Sequence, residues 1–254
     1  MIKNSNRVRF LPNAITLLGL AAALTAYQHA AKADYRFTLL FFAAAALCDF
    51  MDGAVARLLN AGSELGAQLD SLSDLVSFGV APALTVYVWS GNKNNMIWGA
   101  CLVYIAAMAL RLARFNLLLE KEDSRPFTKY FFMGVAAPGG ALMILLPMVS
   151  ELVFGQGWWS TPPTICLWII LCALLLVSKV PTVSLKRITV PPSLIPVALV
   201  LLIAVAAGAF NSPVETFWAL ELAYVLFIPI SGFIYVWMSR KPEEWDGPDE
   251  DEQW

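Results

Sequence analysis

Four aspartates carry the chemistry this sequence offers: Asp49 and Asp52, then Asp70 and Asp74, inside two otherwise apolar stretches. A carboxylate near hydrocarbon costs at least about 2.5 kcal/mol, so a group of them needs a reason. Asp49 and Asp52 are spaced i, i+3, and Asp70 and Asp74 i, i+4, so on helices each pair shares one face. The polar and small residues between the pairs suit a tight helix-to-helix turn, which lets both pairs converge. Anions packed within a few ångströms cannot all stay ionised unaided, and a bound cation resolves the conflict most cheaply. Aspartate ligands without histidine or cysteine select hard cations, Mg²⁺ or Mn²⁺. Four carboxylates suit two such ions, an arrangement typical of phosphoryl chemistry. Gly53 and Ala56 are small enough for a bulky ligand to approach closely. Arg57, in the same run, suits a phosphate oxygen.

The elements that must position these residues are membrane spans. Of 254 residues, 59% are apolar and 14% charged, against about 45–50% and 25% in a soluble domain. Largely uncharged runs long enough to cross a bilayer recur through the chain. The expected fold is an all-α, polytopic membrane helix bundle of about eight transmembrane helices. Their approximate ranges are 11–30, 37–59, 68–89, 95–119, 131–154, 165–180, 193–210 and 214–238. Residues 1–10, with Lys3, Arg7 and Arg9, form a short amphipathic segment on the membrane surface, and 239–254 an acidic tail. The apolar stretch after residue 10 runs on into a full span, so no cleavable signal is expected. Of the 17 lysines and arginines, only Lys32, Arg36 and Lys93 fall on the side away from the N-terminus. The positive-inside rule therefore puts both termini in the cytoplasm, and the aspartates near the cytoplasmic boundary of the inner membrane.

Other polar residues fall into place around this frame. Pro12 suits a helix start, and Asn13 and Thr16, one turn apart, either cap that helix or contact a ligand. Arg111 and Arg114, at i, i+3 with Asn116 nearby, either snorkel to the interface or bind anionic groups. Lys121, Arg125, Lys129, Lys179, Lys186 and Arg187 read as surface charges facing anionic lipid. Pro138-Gly139-Gly140 marks a broken or kinked span. Cys48, Cys101, Cys166 and Cys172 have no metal-ligand spacing and read as buried small hydrophobes. His29 reads as an interfacial residue in the connector after the first span. A net charge of −2 gives no pointer to nucleic acid.

The run Asp49-x-x-Asp52-Gly53-x-x-Ala56-Arg57, eight further residues and then Gly66-x-x-x-Asp70-x-x-x-Asp74 resembles the complete signature of the CDP-alcohol phosphotransferases. Every fixed position is filled. The resemblance implies cleavage of the pyrophosphate of a CDP-linked donor, transfer of the phosphoryl-alcohol to a hydroxyl and release of CMP. It implies two divalent cations, Mn²⁺ or Mg²⁺, on Asp49, Asp52, Asp70 and Asp74, with Asp74 also the catalytic base. Asn13, Thr16, Asp52, Gly53, Ala56, Arg57 and Ser63 become the candidates for holding CDP, while Gly66 lets spans pack closely. The stretches 73–82, 110–116 and 178–182 are similar to the bacterial and archaeal integral-membrane branch that uses CDP-diacylglycerol and L-serine. In that branch Arg111, Arg114 and Asn116 would bind the acceptor or a phosphate. The likeness makes 11–190 the catalytic domain and 191–238 additional helices that contribute little to it. Family members are commonly homodimers. Three rivals stand: a family member with an inositol phosphate, glycerol phosphate or amino-alcohol acceptor, a cation-coupled transporter, and a metal-dependent lipid-binding scaffold without turnover, against which the intact set of aspartates argues. The transporter predicts inverted repeats with paired broken helices, and neither is visible.

Overall fold

The computed structural model describes residues 3–59, 63–91, 94–119, 131–133, 135–178, 181–183 and 195–239. Six helical stretches are long and apolar enough to cross a membrane: Phe10–Ala30, Tyr35–Leu58, Glu64–Trp89, Asn95–Leu117, Ala137–Phe154 and Pro213–Gly232. Two shorter apolar helices, Pro162–Val177 and Leu199–Asn211, accompany them. The basic clusters at 121–129 and 179–187 and the acidic tail lie outside the described residues, apart from 181–183.

Helix α1 (Lys3–Ala30) and helix α2 (Tyr35–Leu58) form a hairpin. Alanines do the packing: Ala23, Ala26 and Ala30 of α1 and Ala45 of α2 are buried. A Cβ at Gly19 would meet that of Cys48 at 3.0 Å. Lipid offers apolar helices no hydrophobic reason to associate, so this close approach of small residues is what joins them. The turn between them places Ala33 at φ 57°, and His29 closes it, 3.2 Å from Asp34 and stacked on Phe37 and Phe41. Helix α1 also corrects one expectation. Residues 3–10 are its first turns, continuous with the span, so Pro12 sits inside the helix rather than at its start.

The next span is interrupted without being broken. Helix α3 (Glu64–Asp74) is capped by Ser63, whose hydroxyl accepts the Gly66 N–H at 3.1 Å. A π turn over Leu75–Val80 then leads into helix α4 (Ala81–Trp89). Pro82 has no N–H for the carbonyl four residues back, at Phe78. Tyr104, fully buried on helix α5 (Asn95–Leu119), donates its hydroxyl to that carbonyl at 3.0 Å. The same device recurs in helix α6 (Ala137–Phe154). Pro147 deprives the Met143 carbonyl, and Trp168 of helix α7 (Pro162–Val177) donates its indole N–H there at 2.7 Å. Backbone groups within a bilayer must be satisfied by the protein itself, and here an aromatic from the following helix does so.

Helices α5, α6 and α7 supply most of the core, with Ile97, Met108, Ile144, Met148, Ile165 and Ile169 fully buried. Pro138-Gly139-Gly140 is the N-terminus of α6 and not a kink, with Pro138 in its first turn. A short antiparallel ribbon, β1 (Phe131–Met133) with β2 (Pro181–Val183), joins the approach to α6 and the exit from α7. Phe131 stands opposite Val183 in its register, and Met133 opposite Pro181. Helix α8 (Ile195–Asn211) and helix α9 (Pro213–Ser239) close the chain, α9 packing on α6 with the Trp218 indole N–H on Ser150 Oγ at 3.0 Å.

Candidate active site

The C-terminal turns of α2 and the length of α3 bring the aspartates together. Asp49, Asp70 and Asp74, all partly buried, each offer a carboxylate oxygen, and these lie within 4.8 Å of one another. Such a trio of hard, like-charged oxygens fits a divalent cation. Asp52 stands outside this trio. It is buried, 5% exposed, and its Oδ2 accepts the Thr16 hydroxyl of α1 at 2.6 Å. That hydroxyl also lies 3.1 Å from the Pro12 carbonyl, and Ser73 Oγ donates to the Thr16 carbonyl at 3.3 Å. These bonds join α1 to α2 and α3 beside the cluster.

Helix α2 separates two cavities. One, of about 200 Å³, is lined by Asn13, Thr16, Asp52, Gly53, Ala56, Ser63, Gly66 and Asp70. It gathers six of the seven residues expected to hold CDP, from three different helices. Gly66 is part of its wall: a Cβ there would meet Ser63 Oγ at 3.0 Å and Asn13 Oδ1 at 3.1 Å. The close approach at Gly66 is thus to α1 rather than to the preceding span. The seventh residue, Arg57, lines the second cavity, of about 270 Å³, with Asp49, Asp74, Arg111, Ala136, Ala137 and Pro138. Gly53 borders both. Beyond its own helix backbone, a Cβ at Gly53 would meet only Arg57 Nη1, at 3.4 Å, so the position opens onto the cavities rather than onto a packed neighbour.

The three residues expected to bind the acceptor or a phosphate part company. Arg111 lines the second cavity, with its Nε donating to the Val135 carbonyl. Arg114 faces elsewhere, its Nη1 on the Val177 carbonyl at 3.0 Å and its Nη2 on the Ser178 carbonyl at 3.2 Å. A cation at the end of α7 satisfies carbonyls that the helix leaves without donors. Asn116 pairs with Ser71 of α3, its Nδ2 donating to the hydroxyl at 3.0 Å. Arg114 and Asn116 therefore brace helices around the site and do not line its cavities. Sequence reasoning also passed over Glu221. This acid of α9 is fully buried, and neither of its oxygens has a hydrogen-bond partner among the described residues. Its signal was an acid in an apolar span, the same that singled out the aspartates, but without a second carboxylate at helical spacing.

A bundle of apolar helices with a carboxylate trio between two cavities makes a site that could hold a divalent cation at a bilayer. The chain belongs to the CDP-alcohol phosphatidyltransferase family, whose pattern matches residues 9–239. That match takes in α8 and α9 as well as residues 11–190. The chain is 36% identical over 239 residues to the CDP-diacylglycerol–serine O-phosphatidyltransferase of Mycobacterium leprae, covering 94% of this chain and 80% of that one. The enzyme of the same name from Helicobacter pylori is 27% identical over 184 residues, 72% of this chain and 76% of its own. That of Methanocaldococcus jannaschii is 38% identical over 109 residues, 43% of this chain and 48% of its own.

Proposed function

We propose that this protein transfers the phosphatidyl group of CDP-diacylglycerol to the hydroxyl of L-serine and releases CMP. The reading is carried by the placing of Asp49, Asp70 and Asp74, within 4.8 Å, between a cavity lined by Thr16, Asp52 and Ser63 and one lined by Arg111. The names of the relatives support the choice of donor and acceptor. Asp49, Asp70 and Asp74, with Asp52 beside them, would hold two divalent cations, Mg²⁺ or Mn²⁺. Bound there, such ions would neutralise the pyrophosphate and lower the proton affinity of the attacking hydroxyl.

The chain's own groups do the rest by position and charge. Asn13, Thr16 and Ser63 hold the cytidine part in the first cavity. Arg111 takes the serine carboxylate in the second, and Arg57 a phosphate oxygen of the donor. Asp74 accepts the serine hydroxyl proton on a carboxylate oxygen. As it does, the serine oxygen bonds to the phosphatidyl phosphorus, and the bond from that phosphorus to CMP breaks, its electron pair leaving with CMP. Arg57 and Arg111 are the basic residues on the second cavity, which suits a small zwitterion better than a phosphorylated acceptor.

The same reading puts the site at the cytoplasmic face of the inner membrane, in a homodimer with eight crossings per chain. Support for the short α7 as a crossing comes from its ends. It starts soon after the end of α6, and it finishes at Arg114, on the half of α5 that carries Arg111. One assay tests the function. Purified protein in detergent, given CDP-diacylglycerol and Mn²⁺ or Mg²⁺, releases CMP when L-serine is added. Silence with serine but release with inositol phosphate or glycerol phosphate would move the protein to another branch of the family.

A further inference from the structure

The start of α6 is held in place from two sides. On one side, Arg111 of α5 donates its Nε to the Val135 carbonyl. On the other, Tyr224 of α9 sets its hydroxyl against Gly139 in the first turn of α6, 2.1 Å from where a Cβ would stand. Gly139 makes room for this contact, since a Cβ there would fall on the Tyr224 hydroxyl and ring. Gly140, beside it, admits Leu176, Met108 and Tyr104 instead, so the two glycines serve different neighbours. Ala136, Ala137 and Pro138 form a wall of the cavity that also holds Arg111, Asp49 and Asp74. The wall and the arginine are therefore one assembly. Its outer support comes from the part of the chain that seemed, from sequence, least concerned with the site.

We infer that Tyr224 is a positioning residue for the acceptor end of the site. Its hydroxyl bears on the first turn of α6 at Gly139, and through the Val135 carbonyl at the head of that turn it sets where the Arg111 guanidinium meets the acceptor carboxylate. With Nε committed to Val135, Arg111 has its Nη groups for the cavity it lines. Any slack at Val135 is passed to those groups directly. The nucleotide cavity shares neither Arg111 nor the α6 wall, so a fault here falls on the acceptor and spares the donor. Helix α9 does not depend on Tyr224 for its seat. Trp218 is bonded to Ser150, and Ile228 is buried in the core. Loss of one hydroxyl should leave the fold intact.

This inference rests on the proposed function, and the test separates the two. Wild-type protein and Tyr224→Phe, purified in detergent with Mn²⁺, are compared in CMP release while L-serine and CDP-diacylglycerol are varied in turn. Loss of the hydroxyl that bears on the start of α6 lets Arg111 shift, and raises the KM for serine about fivefold in the variant. The KM for CDP-diacylglycerol, the kcat and the melting temperature stay within experimental error of wild type. An unchanged serine KM overturns the inference. So does a parallel loss in both KM values and kcat, or a fall in melting temperature that accounts for the loss, since Tyr224 would then be a packing residue only. If the wild type releases no CMP with serine, the proposed function itself fails and takes this inference with it.

Discussion

At the scale of single residues, charge and spacing set apart groups that look alike. Asp74→Asn keeps the shape of the cluster but cannot take the serine proton. Its kcat for CMP release is expected to fall by about 10²–10⁴, with an unchanged melting temperature. Retained turnover would refute the role of base. Arg111 and Arg114 are one helical turn apart, yet only Arg111 lines the cavity. Arg111→Gln should raise the KM for serine more than tenfold, while Arg114→Gln should chiefly lower the melting temperature, by freeing the end of α7. Kinetics and thermal unfolding of the two variants side by side decide this. Glu221 is expected to behave differently again. A buried polar group without partners costs about 1–3 kcal/mol, so Glu221→Leu should raise the melting temperature. The aspartates were legible because their spacing is a property of sequence alone. The division of labour between the arginines was not, because it depends on where α6 begins and α7 ends, which neither residue's neighbours reveal.

At the scale of elements, apolar runs announced the spans, and the helices fall close to them. What stayed hidden was how they are finished. Nothing local to 75–80 signals a π turn, and the Pro138-Gly139-Gly140 run looks the same whether it kinks a helix or begins one. The difference lies in Tyr224, Leu176 and Tyr104, which press on the glycines from other helices. The proline pairs give a test at this scale. Trp168→Phe leaves the Met143 carbonyl buried without its donor, and should cost about 1–3 kcal/mol, read as a lower melting temperature in detergent. Pro147→Ala restores an N–H four residues on. The double variant should therefore lose less than Trp168→Phe alone. Strictly additive losses would show that the indole bond does not stand in for the missing amide.

For the whole molecule, the two cavities lie on either side of α2, one walled by α1 and α3 and the other by α5 and the start of α6. Such a partition lets two substrates reach one cluster of carboxylates from different directions. Removing divalent cations with a chelator should abolish CMP release, and added Mn²⁺ or Mg²⁺ should restore it without refolding. The arrangement also has a side. In a cysteine-free background, Ser212→Cys at the α8–α9 turn should react with a membrane-impermeant maleimide applied outside, and Leu59→Cys, after α2, only once the membrane is opened. Charge counting assigns each loop an expected side, because each lysine or arginine votes independently of the fold. It could not reveal that α9 bears on the start of α6, since that contact is made by an uncharged tyrosine.

The two proline–aromatic pairs bear on how such a chain is made. In each, the carbonyl left open lies on one helix, and the group that closes it lies on the next to be synthesised: Phe78 waits for Tyr104 of α5, and Met143 for Trp168 of α7. A helix with an open carbonyl is poorly suited to lipid on its own. Each of these helices is thus completed only by its successor, which favours their leaving the insertion machinery as pairs rather than singly. The active-site aspartates of α3 belong to the first such pair, so their geometry is set only when α5 has arrived.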